Sequence, residues 1–560
     1  MTGNAAGVGG KIGRLWRTIR WLKPSQIVGR VRHRLYKPRP ELHAAPGVRP
    51  GAWQWVAPCS RQVGLVGPTR MRFLAVEHDL AQVGWDDPAV PLLWRYNQHY
   101  FDDLNAKGAE ARRAWHRDLI GRWLAAAPAG VGTAWAPYPT SLRIVNWVKW
   151  FLGGAEPEAA WLHSLAVQAR WLTQRLEWHL LGNHLFVNAK ALVFAGLYFQ
   201  GQEADAWLAE GVRILRRELS EQILSDGAQF ERTPMYHALA LEDVLDLLNV
   251  IRSLAPGDST APVLVLALRA QGSAMLHWLR SMTHPNGTLS RFNDCAEGIS
   301  AATPDLERYA QAMGVTAAPV DGDGVSMLQP SGYIRAARGP AVAILDVAPL
   351  GPDYLPGHAH ADTLSFELSV GGREVVVNRG TSVYGEGPRR QVERSTAAHS
   401  TVQIGDCDSS EVWAGFRVGR RARPIDVRID GWAICAAHDG YAHLSGRPIH
   451  HRRWRLDDGA LTVMDWLAPH PTGSGAVAVA RYHLAPGLAL ERKGPRVWQV
   501  LDNGAVVAVA SIEVGVAQIE PWQHAVRFGE LADAETLVVR LEDSRATLRW
   551  KWGPLCTSSS

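Results

Sequence analysis

Gly357-His-Ala-His-Ala-Asp-Thr-Leu-Ser-Phe-Glu-Leu-Ser-Val370 is the stretch from which the rest of the chain can be read. From Thr363 onward it alternates, with Leu364, Phe366 and Leu368 on one parity and Ser365, Glu367 and Ser369 on the other, the period of a half-buried strand. His358, His360 and Asp362 share the parity of the apolar set. A strand that begins at the histidines therefore aims all three inward, where an unpaired polar group is costly. Two readings follow: hydrogen-bonded core histidines, or an H-x-H face serving as a metal or proton-transfer site.

Downstream, Val342 to Val347, Glu374 to Asn378, Ser400 to Ile404, Leu461 to Asp465, Ala476 to Tyr482, Val506 to Ile512 and Thr536 to Arg540 are β-branched or alternating runs bounded by turn residues. They predict an antiparallel β-sheet domain of layered sheets over 325–556. Upstream, 91–320 reads as helical, with helices over Ala109 to Ala126, Ser141 to Phe151, Glu158 to Leu180, His184 to Tyr198, Ala204 to Glu221, Tyr236 to Ser253 and Val263 to Met282. Several are apolar on more than one side, so they are expected to pack in layers, as a ring or a solenoid of hairpins. The remaining 1–90 combines basic helices with a Pro- and Gly-rich connector holding one or two short strands.

With 560 residues, 47% hydrophobic and 20% charged, this is the composition of a globular protein of two or three domains. Cys59, Cys295, Cys407, Cys435 and Cys556 are scattered, which indicates neither a disulfide framework nor a zinc-cysteine site. The sequence has no secretory signal and no run long enough to span a membrane, so the default expectation is cytoplasmic. Ten Lys and Arg residues precede the first acid, Glu41, and Ile12, Leu15, Trp16 and Ile19 fall at helical spacing. This basic amphipathic N-terminus suits either peripheral contact with a membrane or anionic polysaccharide, or a solvated face on an extra hairpin.

Polar residues crowd at four places outside the opening stretch. Trp94 to Asp102, with Tyr96, Asn97 and His99, has the composition of a groove lining. Gly182-Asn-His-Leu precedes a helix, with Asn183 placed as an N-cap. Asp226 to His237 brings Glu231, Arg232, Tyr236 and His237 to one end of the helical layer, and His284 to Asp294 is a further inter-helix loop.

Taken together, Gly182-Asn-His-Leu with Asn188-Ala-Lys-Ala-Leu, Glu231-Arg-Thr-Pro-Met-Tyr-His237, Gly357-His-Ala-His-Ala-Asp362 and Arg394-Ser-Thr-Ala-Ala-His-Ser400 resemble the heparinase II/III family of polysaccharide lyases and its alginate-lyase relatives. The resemblance covers roughly residues 90 to 420 in order. It extends to Trp135-Ala-Pro-Tyr-Pro-Thr-Ser-Leu-Arg-Ile-Val-Asn-Trp147, similar to bacterial members found near polysaccharide-assembly genes. It implies an incomplete (α/α) toroid followed by an antiparallel β-sheet, sandwich-like domain, with the active site in the cleft between them. Through the family's usual setting, it also makes the periplasm or cell envelope an alternative location.

The implied reaction is β-elimination on a uronic-acid-containing anionic polysaccharide. Loss of the C5 proton beside a carboxylate needs aimed donors to neutralise the developing charge, a role implied for Asn183 with His184 or His358. Tyr236 and His358 are the implied proton-transfer groups. Tyr96, Asn97, His99, Glu231, Arg232, His237 and Arg394 are expected to bind substrate, and a basic segment from Arg389 to Arg423 suits carboxylate or sulfate. The family also implies a zinc, whose ligands carry over to His360, Asn378 and His399. Asn378 departs from the family's Asp, and an amide is a weaker ligand, so either the metal site has drifted or another group such as Asp362 takes its place. Two other readings compete: a non-catalytic glycan-binding or exopolysaccharide-assembly protein that keeps the fold, and a glycoside hydrolase using Glu231 and Asp362. The basic segments match no common nucleic-acid-binding module.

Overall fold

Phe366–Val370 is a strand, but it is covered on both faces. Phe366, Leu368 and Val370 join a core shared by two antiparallel sheets. Glu367 and Ser369, on the opposite face, pack against the helical half, where they hold His284 between them at 2.8 Å each. The polar parity of this strand thus marks a domain interface and not solvent. The strand also begins later than the alternation suggests. Leu364 has φ 63°, a left-handed turn that interrupts the extended backbone, so His358, His360 and Asp362 lie in a preceding loop and their parity carries no information.

The protein is described from a computed structural model over residues 8–51, 53–255, 261–320, 322–471 and 477–553. Two helices, Val8–Ile19 and Pro24–Leu35, lead into an irregular connector with a short hairpin, Arg70–Phe73 and Val76–Asp79. Helices Arg113–Ala126, Pro137–Leu152, Ala159–Gln174, Gly182–Tyr198, Gln202–Gln222, Pro234–Leu254, Ala261–Ser281 and Thr303–Ala312 follow and form the incomplete toroid. Their apolar surfaces on more than one side are explained by position. Gly182–Tyr198 is buried from Leu185 to Tyr198 because it has helices on both flanks.

Strands begin at Gly324–Leu328 and form two sheets. The nine-stranded sheet runs Val516–Arg527, Glu530–Arg540, Ala478–Leu484, Arg373–Val377, Phe366–Val370, Ala341–Asp346, Tyr333–Arg338, Gly324–Leu328, with Val402–Ile404 also paired to Ala478–Leu484. The eight-stranded sheet packs on it to make the sandwich. The other face of the nine-stranded sheet meets the toroid through Trp278, Met282 and Phe292 against Tyr333, Val342 and Ile344. Between the sheets, buried Arg452 pairs with Asp465 and donates to the carbonyls of Leu364 at 2.8 Å and Ser400 at 2.7 Å, fixing both loops that lead to the site.

Candidate active site

The 357–362 loop is pinned from two sides. On one, Asp294 N–H donates to His358 O at 3.1 Å, His360 N–H to Asn293 Oδ1 at 3.0 Å, and Asn293 N–H to Asp362 Oδ2 at 3.1 Å. Asn293 adopts φ 55°, a conformation that asparagine tolerates better than most residues. On the other side, Arg394 donates Nε and Nη2 to Ala359 O at 3.1 and 2.9 Å and accepts Ala361 N–H at 2.9 Å.

Asp294 is the hub. It takes Nδ1 of His358 at 2.9 Å, Nε2 of His360 at 2.7 Å and a bidentate pair from Arg390. Burial alone raises a carboxyl, but Arg390 and the two imidazole hydrogen bonds hold Asp294 well below the ordinary range. Its charge fixes the His358 tautomer with hydrogen on Nδ1, leaving an Nε2 lone pair. The His358 ring lies 4.1 Å from that of Tyr236, and Nε2 is 3.8 Å from Glu231. Burial raises Glu231 toward its neutral form. Burial, then the neighbouring Tyr384 hydroxyl 3.1 Å away, holds the Tyr236 phenol well above its usual value. Tyr236 is therefore held as the neutral phenol, a proton donor and not a phenolate.

The facing wall comes from the start of Gly182–Tyr198. Its N-cap position is Leu181, at φ 65°, so Asn183 lies inside the first turn and is not the cap. It lines a cavity of about 230 Å³ together with Tyr236, Tyr138, Asn97 and Lys190. Gly182 is required there: at φ 56°, an added Cβ meets Leu355 Cδ2 at 2.4 Å. His184 accepts support from Glu177, Nδ1 to Oε1 3.1 Å, and lies on the Tyr138 ring at 4.6 Å. Burial opposes its charged form, but Glu177 overcomes this and raises it.

Several expected substrate contacts are structural instead. His99 is fully buried on Trp85, hydrogen-bonded to Thr133 and Trp123, and burial pushes it down to about 3. His237 bridges Gln229 N–H and Met275 O at 3.0 and 2.8 Å inside the toroid. Arg232, at φ 58°, donates Nε to Ser331 O across the domain interface. Arg394 is the loop clamp described above. Asn97 does line the cavity, while Tyr96 is half-buried outside its lining. In the basic segment, Arg390 is spent on Asp294 and Arg421 on Asp353, whereas Arg417 remains exposed. Asp362 accepts Asn293 N–H and interacts with the buried carboxyl of Asp346, so its oxygens are engaged away from His360 and Glu231.

Tyr384, Asp294 and Glu177 were not singled out as site residues. Asp294 carried a signal, lying at the end of the polar loop from His284, but nothing in sequence tied it to a histidine 64 residues away.

The residues at the implied zinc position do not fit that ion. Burial brings His360 down to about 4 and His399 well below its usual value, which favours the neutral imidazole, the form that ligates a metal. His360 donates Nε2–H to Asp294, and its Nδ1 lies 3.2 Å from His399 Nε2, while His399 Nδ1 is buried without a hydrogen-bond partner. Asn378 Oδ1 accepts Ser400 N–H at 3.1 Å, while its Nδ2 is buried without a partner. Two neutral imidazoles and an amide whose oxygen is committed supply no anionic ligand for zinc. Elsewhere among the described residues, ligand atoms of His284, Glu367 and Glu374 converge, but Ser369, Arg291 and Asn378 N–H engage them. Metal analysis of the purified protein is expected to find zinc far below stoichiometry and no shift in melting on chelation. Asn378→Asp is expected to acquire zinc and a chelator-sensitive melt. Stoichiometric zinc in the parent chain would overturn this reading.

Comparison with known proteins agrees with this architecture. A family described as "Heparinase II/III N-terminus" matches residues 118–314, and "Heparinase II/III-like, C-terminal" matches 321–553. A heparin-sulfate lyase of Bacteroides stercoris is 26% identical over 246 residues, 40% of this chain and 35% of the relative. Another, from Bacteroides thetaiotaomicron, is 25% identical over 322 residues, 49% and 44% of the two chains. The matched regions thus span less than half of these curated relatives. A crystal structure of heparinase III superposes with a TM-score of 0.62 at 18% identity, covering 83% of this chain and 78% of that one. A heparan sulfate lyase mutant from Pedobacter heparinus gives 0.57 at 16% identity, covering 98% and 91%.

Proposed function

Because the chain belongs to the heparinase II/III family, we propose that it is a polysaccharide lyase that cleaves a uronic-acid-containing anionic glycan by β-elimination. The observation that carries this reading is the stacking of Tyr236 on His358 at 4.1 Å, with ionised Asp294 behind the imidazole. His358 Nε2 takes the C5 proton. Asn183 and His184, whose charged form Glu177 favours, face the uronate carboxylate and stabilise the dianion that forms. Tyr236, protonated at rest, gives its hydrogen to the leaving O4. The C5–H and C4–O4 bonds break, a C4=C5 double bond forms, and solvent exchange returns one proton to the phenol and removes one from the imidazole.

Incubation with a panel of polyuronates and glycosaminoglycans, followed by ultraviolet absorbance of the unsaturated uronate, tests the reading. New absorbance that rises with chain cleavage is expected for at least one polymer. Reducing ends without absorbance would mean hydrolysis, and binding without either signal would mean a glycan-binding protein on a lyase fold.

A further inference from the structure

The N-terminal hairpin is built inside out. In Val8–Ile19, Ile12, Leu15, Trp16 and Ile19 recur at i, i+3, i+4 and i+7, one face of a helix. That face is turned to solvent, with exposures of 62, 44, 62 and 42%. The polar face is the one that docks. Arg17 makes a bidentate pair with Glu411 at 2.8 and 3.0 Å, Thr18 accepts Trp413 Nε1–H at 3.2 Å, and Arg14 lies over the Trp413 ring.

Pro24–Leu35 repeats the arrangement. Ile27, Val28, Val31 and Leu35 are 54, 66, 55 and 75% exposed, while Gln26, Gly29 and His33 face the protein. Gly29 sits so close that an added Cβ meets His179 N at 2.8 Å. Eight apolar side chains thus lie outside on two adjacent helices, which isolated surface residues do not explain. Around them Lys11, Arg20, Arg30, Arg32, Arg34 and Lys37 are exposed, and none forms an ion pair with an acid among the described residues. No acidic residue precedes Glu41.

We propose that this hairpin is a docking surface for an anionic lipid bilayer, with its apolar stripe entering the headgroup boundary and its cations meeting lipid phosphates. A second copy of the chain is disfavoured by charge, since an isologous contact sets the same cations against one another. A polysaccharide offers no apolar medium to receive Ile12, Trp16, Val28 and Leu35. No helix among the described residues is long and apolar enough to cross a membrane, so the contact is with the surface. The hairpin also holds both domains, through Glu411 in the sheet domain and through Glu221 and Arg175 in the toroid. Docking therefore fixes the cleft at a set height above the lipid. The proposal stands independently of the lyase reading, because its test needs no substrate.

The full chain is sedimented with vesicles of phosphatidylcholine alone and with roughly one third phosphatidylglycerol. Binding to the anionic vesicles at least about tenfold tighter than to the neutral ones, and weakened by salt, is expected. The variant Ile12→Ser/Trp16→Ser/Val28→Ser/Leu35→Ser, altered only at exposed positions, is expected to lose that binding with its thermal melt unchanged. The proposal is overturned if wild type ignores anionic vesicles, if the variant binds as tightly as wild type, or if light scattering shows a dimer that the variant converts to monomer.

Discussion

Tyr236→Phe is expected to lower the rate of elimination by about 10³-fold while leaving KM within a few-fold of wild type. The hydroxyl is the one group of Tyr236 that the variant removes; the ring, its 4.1 Å stacking on His358 and its place in the cavity wall remain. Burial and Tyr384 keep the phenol protonated, so the lost function is donation to the leaving oxygen, which is made only as the C4–O4 bond breaks. Stability should fall by only about 1 kcal/mol, the worth of one hydrogen bond to Tyr384. Tyr384→Phe removes the same hydrogen bond from the other side and keeps the proton donor, so it should retain most of the rate. Initial rates from unsaturated-uronate absorbance, set beside thermal melts of both variants, separate the two effects. Full activity in Tyr236→Phe would remove Tyr236 from the mechanism.

The helices and strands were legible because their apolar periods report burial directly. The runs from Glu374 and from Thr536 lie in the strands Arg373–Val377 and Glu530–Arg540, and the helical run from Ala204 in Gln202–Gln222. Three of the motifs meet in space, with Asn183 and Tyr236 lining one cavity and His358 beside Tyr236, although 175 residues separate the first from the last. What failed was the assignment of partners. A sequence shows that His99, His237 and Arg394 are polar, but not that Trp123, Met275 O and Ala359 O satisfy them inside the fold. The parity of His358 and His360 misled for a related reason. One left-handed residue, Leu364, uncouples the loop from the strand, and leucine carries no signal for such a turn. Asn378 was readable as a departure, but its consequence was not. Only the geometry shows its oxygen bound to Ser400 N–H and His360 Nδ1 lying 3.2 Å from His399 Nε2.

Asp294→Asn should damage both rate and fold, for separable reasons. In the parent chain the carboxylate receives Arg390, with one contact at 2.6 Å, along with Nδ1 of His358, Nε2 of His360 and Thr381 Oγ1. An amide keeps one acceptor oxygen and turns an NH2 toward a guanidinium that is itself 1% exposed. Leaving that buried cation without its counter-charge is expected to cost about 3–5 kcal/mol. The rate, measured on the folded fraction at low temperature, is expected to fall by about 10³-fold, because the amide no longer enforces hydrogen on Nδ1 and the Nε2 lone pair that takes the proton is lost in part of the population. The pH dependence supplies an independent readout. Asp294 is held below its unfolded pKa of about 3.9, so its contribution is present above that pH and is lost as pH falls through the folded value. The stability gap between wild type and variant should accordingly be widest near neutrality and narrow below about pH 4. Denaturant midpoints across that range give the gap, and a gap that stays constant with pH would mean that the buried charge of Asp294 does not hold this site together.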